Sequence, residues 1–173
     1  MANDDSPSDR ILIERANRGD AAAFELLYRR YREWVVALAY RFTGNQDDAL
    51  DIVQETFAYF FAKFPGFELT AALTTFLYPT VKHLALTKRR AQRPTVDVDD
   101  LADVLPAPAV AASAGDFARL LAELPPAQRE VVLLRFADDL SLPQIAAALS
   151  VPVGTVKSRL HHALGALKKF LQR

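Results

Sequence analysis

Ser141 to Leu171, SLPQIAAALSVPVGTVKSRLHHALGALKKFL, reads as a helix, a short turn and a second helix. Ser141 with Gln144 three residues on makes a capping box, in which hydroxyl and amide each satisfy an orphaned backbone N–H, so a helix starts here and runs to Leu149. Pro143 falls in the first turn, where a missing N–H does little harm. Ser150-Val151-Pro152 breaks that helix, and the fixed φ of Pro152 suits it to open the next. Val156, Leu160, Ala163, Leu164, Leu167 and Leu171 recur at helical spacing and predict one buried stripe. The other face carries Thr155, Lys157, Ser158, Arg159, His161, His162, Lys168 and Lys169, and Gly154 to Arg173 holds five Lys or Arg and no acid.

A short helix braced against a longer one with a short polar and basic face is the layout of a helix-turn-helix, whose second helix enters the major groove. Ala146 and Ala147 are small enough for the two helices to approach closely. A helical hairpin with a solvated basic face has the same amphipathicity. The match of Ile145, Ala146, Leu149, Val151 and Val156 to the whole pattern favours DNA. Ser150 stands where glycine is common at that turn.

The chain of 173 residues, 51% hydrophobic, can bury one sizeable core or two small ones. It has no cysteine, which excludes a disulfide framework and a thiolate zinc site. No apolar run reaches membrane-spanning length, and the N-terminus MANDDSPSDR is acidic, the reverse of a signal peptide. The expectation is a soluble, cytoplasmic protein without membrane insertion. Zero net charge conceals segregation. Residues 1–9 carry −3, residues 10–93 hold thirteen Lys or Arg against nine acids, residues 94–116 carry −5, and residues 117–173 hold eight bases against four acids. Two basic blocks separated by an acidic strip suggest two surfaces facing polyanion.

In chain order, Ile11, Leu12 and Ala16 mark a first helix ended by Gly19, and Asp20 caps a second, Ala21 to Thr43. That helix places Phe24, Leu27, Tyr28, Tyr31, Val35, Leu38 and Phe42 on one side, and Gly44 stops it. Asn45 to Asp48 cap a third helix reaching Lys63, with Ala49, Ile52, Val53, Phe57, Phe60, Phe61 and Phe64 on its apolar face and Asp48, Asp51, Gln54 and Glu55 opposite. After Pro65-Gly66 a fourth pattern, Leu73, Phe76, Leu77, Val81, Leu84, ends in the basic run Lys88 to Arg93. Pro79 interrupts it and predicts a kink near Thr75 to Tyr78 or a late helix start. Residues 94–116 lose the helical period and gain Pro, Ala and Asp, which is linker composition. Twenty-three residues extend to about 76 to 83 Å, enough to span two turns of B-DNA at about 70 Å. From Phe117 the period returns in Leu120, Leu121 and Leu124, then, after Pro125-Pro126, in Val131, Val132, Leu134 and Phe136. No strand-like alternation is sustained, so the fold class is all-α.

The order of these elements resembles the extracytoplasmic-function sigma factors of bacterial RNA polymerase, a branch of the sigma-70 family. The resemblance rests on DDALDIVQETF at Asp47 to Phe57, ELPPAQREVVLLRF at Glu123 to Phe136 and VPVGTVKSRLHHAL at Val151 to Leu164. It implies two helical domains on a flexible linker: a disordered acidic N-terminus at 1–9, region 2 at 10–93, an acidic linker at 94–116 and region 4 at 117–173. It also implies a dissociable specificity subunit that binds core polymerase, recognises the -10 and -35 elements of promoter DNA and helps open the strands. An anti-sigma factor is the further partner the family implies, and no cofactor is implied. Carried over residue by residue, polymerase docking falls on Asp48, Asp51, Ile52, Gln54, Glu55 and Phe57. Reading of the -10 element falls on the helix Phe76 to Arg90, with Tyr78, Lys82, His83, Lys88, Arg89 and Arg90. Reading of the -35 element falls on Thr155, Lys157, Ser158, Arg159 and His162.

The melting helix departs from the family pattern Trp-Leu-Tyr-Arg-Ile-Ala-Arg-Asn-Leu-Ala-Ile-Asp. Here it runs FLYPTVKHLALT, with Pro79 for an arginine, His83 for the asparagine and Thr87 for the aspartate. Asparagine can bond a base through both amide atoms, whereas histidine stacks or donates once, so an unusual -10 sequence and weaker strand opening are expected. An enzyme is not expected. The only histidines are His83, His161 and His162, no metalloprotease or phosphate-loop motif occurs, and no histidine or second acidic helix complements Asp47, Asp48, Asp51 and Glu55 as a metal site. The rival reading is a stand-alone helix-turn-helix regulator, separated from the first by its independence of core polymerase.

Overall fold

The computed structural model describes residues 7–92 and 115–171, all of whose regular elements are helices. They are α1 (Asp9–Asn17), α2 (Ala21–Thr43), α3 (Gln46–Phe61), α4 (Leu73–Gln92), α5 (Gly115–Ala122), α6 (Pro126–Phe136), α7 (Leu142–Leu149) and α8 (Val153–Leu171). Helices α2, α3 and α4 pack on one another with α1 against α2, and α6, α7 and α8 form the second unit. Residues 1–6 and 93–114, which hold most of the expected acidic N-terminus and linker, lie outside the described residues.

Local signals place most boundaries. Asp20 accepts from Ala22 N at 3.0 Å and Asn45 from Asp48 N at 3.0 Å, so α2 and α3 start at side-chain caps. Gly44 ends α2 at φ 67°, a left-handed conformation that costs glycine little. Helix α3 stops at Phe61, two residues short of the expected Lys63. The expected disordered stretch 1–9 ends too late: Ser8 caps α1, and Asp9 accepts from Arg30 Nη1 at 2.5 Å and from the Tyr31 hydroxyl. Likewise Gly115 and Asp116, assigned to the linker, are already in α5.

Helix α4 runs unbroken from Leu73, so Pro79 does not delay its start. The proline lies in the second turn, where a single i to i−4 bond is lost, and the burial of Leu73, Leu77 and Val81 at 0% exposure holds the helix across the gap. Phe60, fully buried, lies against Phe64 and Phe67 edge-on at 5.3 and 5.2 Å, and Phe67 meets Phe76 at 5.2 Å. Asn17 fastens the turn that carries Phe67. Its Oδ1 accepts from Gly66 N (2.7 Å) and Phe67 N (3.1 Å), and its Nδ2 donates to Phe67 O at 2.9 Å.

In the second unit Arg129 donates to the carbonyls of Leu121, Ala122 and Leu124 at 2.7 to 3.0 Å, capping the end of α5 that has no further helical donors. Ser141 and Gln144 form both bonds of the capping box. Three expectations for the core fail. Phe136 is 61% exposed, because it lies about 200° around α6 from buried Leu134. Leu164 is 43% exposed, at the edge of a stripe filled by Val156, Ala163 and Leu167. Ala148, not Ala147, is the buried small residue beside Ala146.

Ser150 ends α7 in the left-handed region, φ 54° and ψ 43°. A side chain there costs about 1 to 2 kcal/mol, part of which glycine returns through its freer unfolded chain. Ser150→Gly is therefore expected to stabilise the protein by about 0.5 to 1 kcal/mol. A raised urea midpoint at unchanged slope would register it; a lowered midpoint would contradict it.

The two units are not independent. Helix α4 packs on α7, and one continuous apolar cluster runs from Leu77 and Val81 to Val131, Leu134 and Ile145. The two units that the resemblance sets on a flexible linker are thus packed against each other. Apolar surface and buried ion pairs close the gap that the linker composition left open.

Candidate nucleic-acid interface and docking face

Helix α8 presents Lys157, Ser158, His161 and His162 to solvent, with Thr155 half-buried at its N-terminal end. Val156, at 0% exposure, anchors the helix against α7. Main-chain N–H groups at the first turn and Lys157 beyond it make a surface suited to phosphate and base edges. Arg159 differs from the rest: it is half-buried and lines a cleft of about 520 Å³ together with Lys82 and His83 of α4.

The expected -10 residues separate into three groups. His83 and Arg90 are exposed, and His83 also lines an open groove of about 660 Å³ between α3 and α4 with Tyr59, Pro79 and Thr80. Lys88 and Arg89 are tied into their own unit: Lys88 Nζ lies 2.6 Å from Asp51 and 3.3 Å from Asp48, and Arg89 donates to Phe42 O at 3.1 Å. Tyr78 and Lys82 meet the second unit. Tyr78 is 2% exposed and its hydroxyl donates to Glu130, while Lys82 Nζ donates to the same carboxylate at 2.6 Å. Burial first, then the charge and hydrogen bond of Glu130, push the Tyr78 phenol well above its usual pKa, so it stays a neutral donor.

The polar face of α3 leaves Asp51, Gln54 and Glu55 exposed above buried Ile52 and Phe57. Asp48 is more enclosed. The Gln92 side-chain amide, at 3.0 Å, and Lys88 hold its carboxyl below the usual carboxylate range. Its contribution is complete above that range and fades as pH falls through the lowered value. Ile52 and Phe57 support the face from below.

Four residues that matter to this geometry carried no signal in the sequence. Asp138 accepts from Arg41 Nη2 at 2.6 and 2.7 Å and from Trp34 Nε1 at 2.9 Å, with its side chain 5% exposed. Glu130 is 8% exposed against Lys82. Partners 97 and 104 residues apart share no local pattern. Trp34, the chain's single tryptophan, sits at the edge of the apolar stripe of α2, three residues after Tyr31 and four before Leu38, where spacing alone reads as core. Among the described residues no group of three or more His, Cys, Asp or Glu is placed to hold a metal, and no helix is long and apolar enough to cross a membrane.

Residues 27–95 match the family model for sigma-70 region 2, and residues 114–167 that for sigma-70 region 4. The chain is 31% identical to the ECF RNA polymerase sigma factor SigW of Bacillus subtilis, over 92% of this chain and 95% of the relative. It is also 31% identical to the ECF RNA polymerase sigma-E factor of Escherichia coli K12, over 95% of each. Among solved structures it is similar to CnrH in complex with the cytosolic domain of CnrY (TM-score 0.68, 27% identity, 95% of this chain and 97% of that one). It is similar too to the sigma factor RpoE in complex with the anti-sigma factor NepR from Bartonella quintana (TM-score 0.64, 26% identity, 86% and 96%). With both regions matched in order and full-length relatives above 30% identity, the chain belongs to the sigma-70 family, among its ECF sigma factors.

Proposed function

We propose that this chain directs core RNA polymerase to a set of promoters. Region 2, residues 10–93, docks the enzyme through the face around Asp51, Gln54 and Glu55 and reads the -10 element with α4, His83 foremost. Region 4, residues 117–173, reads the -35 element with Thr155, Lys157, Ser158, Arg159 and His162. The proposed setting for both is the cytoplasm. The observation that carries this reading is the joint presence of an exposed basic recognition helix and an exposed acidic α3 face, in the two matched regions of one chain. Bond making belongs to the polymerase; the chain's part is recognition and strand opening. An anti-sigma factor is the proposed regulator, since the similar RpoE of Bartonella quintana is held in complex with the anti-sigma factor NepR.

Transcription in vitro from a genomic fragment library, with purified core polymerase, tests the proposal. Discrete new start sites are expected only when the chain and core are both present. Tight sequence-specific binding by the isolated chain, with no core-dependent starts, would make it a stand-alone regulator instead.

A further inference from the structure

Asn17, the last residue of α1, holds a loop 49 and 50 residues away. Its Oδ1 accepts from Gly66 N and Phe67 N and its Nδ2 donates to Phe67 O, so one half-buried amide satisfies three backbone groups of the connection between α3 and α4. The loop's own bonds are short-range: Lys63 N and Phe64 N reach carbonyls three residues back. Pro65, Gly66, Glu68 and Thr70 stand exposed, so apolar burial restrains this stretch little. Helix α1 is a firm support for it. Leu12, Ile13 and Ala16 are buried, Arg15 Nε lies 2.7 Å from Asp20, and Asp9 is tied to Arg30. From the fastened loop, two ring contacts lead to the groove between α3 and α4. Phe67 meets Phe76 edge-on at 5.2 Å, and Phe76 lies parallel to Tyr59 at 5.9 Å. Tyr59 is 47% exposed, has Lys63 Nζ 4.2 Å from its ring centre, and lines the groove that His83 also lines. Exposed aromatic and cationic groups side by side are the furniture of single-strand binding grooves.

We propose that Asn17 is a positioning residue for -10 recognition: its hold on the loop seats Phe67 and Phe76 and so sets the groove wall at Tyr59, beside His83. The inference rests on the promoter reading above for its ligand, and it adds a part for α1, since Asn17 itself lies outside the groove. Close-packed rings move together, so a shift of Phe67 is passed to Phe76 and on to Tyr59. A recognition group has to be held within about 0.5 Å of its productive geometry, and an exposed loop released from its anchor exceeds that tolerance. Losing the tie therefore blurs the choice of base at the -10 element and leaves the recognition helix α8 untouched. A tie that served stability alone would instead lower the active fraction on every promoter alike, with the ratios between promoters unchanged.

Initiation by the full chain with core polymerase, on a promoter library randomised at the -10 element, reads those ratios. Asn17→Ala is expected to narrow the preference between the best and worst base by at least about fivefold at one or more -10 positions, the discrimination carried by a single base-edge contact. The ratio between an intact and a scrambled -35 element is expected to stay at its wild-type value. Asn17→Asp keeps an acceptor for Gly66 N and Phe67 N and is expected to retain most of the wild-type preference. Arg15→Gln, which breaks the tie to Asp20 and leaves Asn17 in place, is the control for loosening α1. Hydrogen exchange on the isolated chain gives a second measurement: Asn17→Ala is expected to speed exchange in residues 64–76 and to leave α2 protected. Wild-type preference in Asn17→Ala, equal narrowing in Arg15→Gln, or unchanged exchange in the loop would each overturn the proposal. Absence of wild-type starts would overturn the promoter reading and this one with it, so the two failures are told apart in one assay.

Discussion

Charge reversal at Asp51 and Glu55 together is expected to weaken binding to core polymerase by at least about a hundredfold and to abolish promoter-dependent transcription. Both side chains stand exposed on α3 above the buried Ile52 and Phe57, so they are open to a partner and do not belong to the core. Loss of one charge from a desolvated interfacial pair costs about 2 to 5 kcal/mol, and reversal adds repulsion. The complication is Lys88, whose amino group lies 2.6 Å from Asp51 and is held charged by it, with Asp48 second. Reversing Asp51 also breaks this tie between α3 and α4. An exposed pair is worth about 0 to 1 kcal/mol, however, so the fold survives. Lys88→Gln is the control that breaks the tie and keeps the acidic face. Core binding by D51K/E55K, with helical content checked by circular dichroism, decides it. Retained binding, or an equal loss in K88Q, would remove the acidic face from docking.

Lys157→Ala with Arg159→Ala is expected to erase the dependence of transcription on the -35 element. A base-edge contact contributes about 1 to 3 kcal/mol, so each residue carries roughly fivefold to 150-fold in promoter strength. The two differ in the structure. Lys157 is exposed, whereas Arg159 is half-buried and lines the inter-unit cleft. Lys157→Ala alone should therefore lower -35 dependent initiation at least as much as Arg159→Ala alone. Initiation rates on a cognate promoter and on one with the -35 element scrambled give the measurement. A double variant that still distinguishes the two promoters would place the reader elsewhere.

Local chemistry settled the helices before any coordinates. The Ser141 and Gln144 box, the Asp20 and Asn45 caps and the stop at Gly44 are short-range hydrogen-bonding and steric devices, and each lies within a few residues of what it terminates. Amphipathic spacing in the same way revealed which side of α2, α3 and α8 is buried, and three motifs in order sufficed for the family. Period counting failed where a helix ends or a stripe has an edge. Phe136 and Leu164 satisfy the hydrophobic count but not the geometry of what faces them. Tertiary structure alone decided how the two units meet. Trp34, Arg41 and Glu130 are unremarkable in their own helices, as is Asp138 in the turn after α6, and they acquire meaning only across 48 to 104 residues of chain, where an enclosed carboxylate demands a cation and a donor. Linker composition reports freedom of the chain between the units. It carries no information about the contact energy of the surfaces that the linker leaves free to find each other.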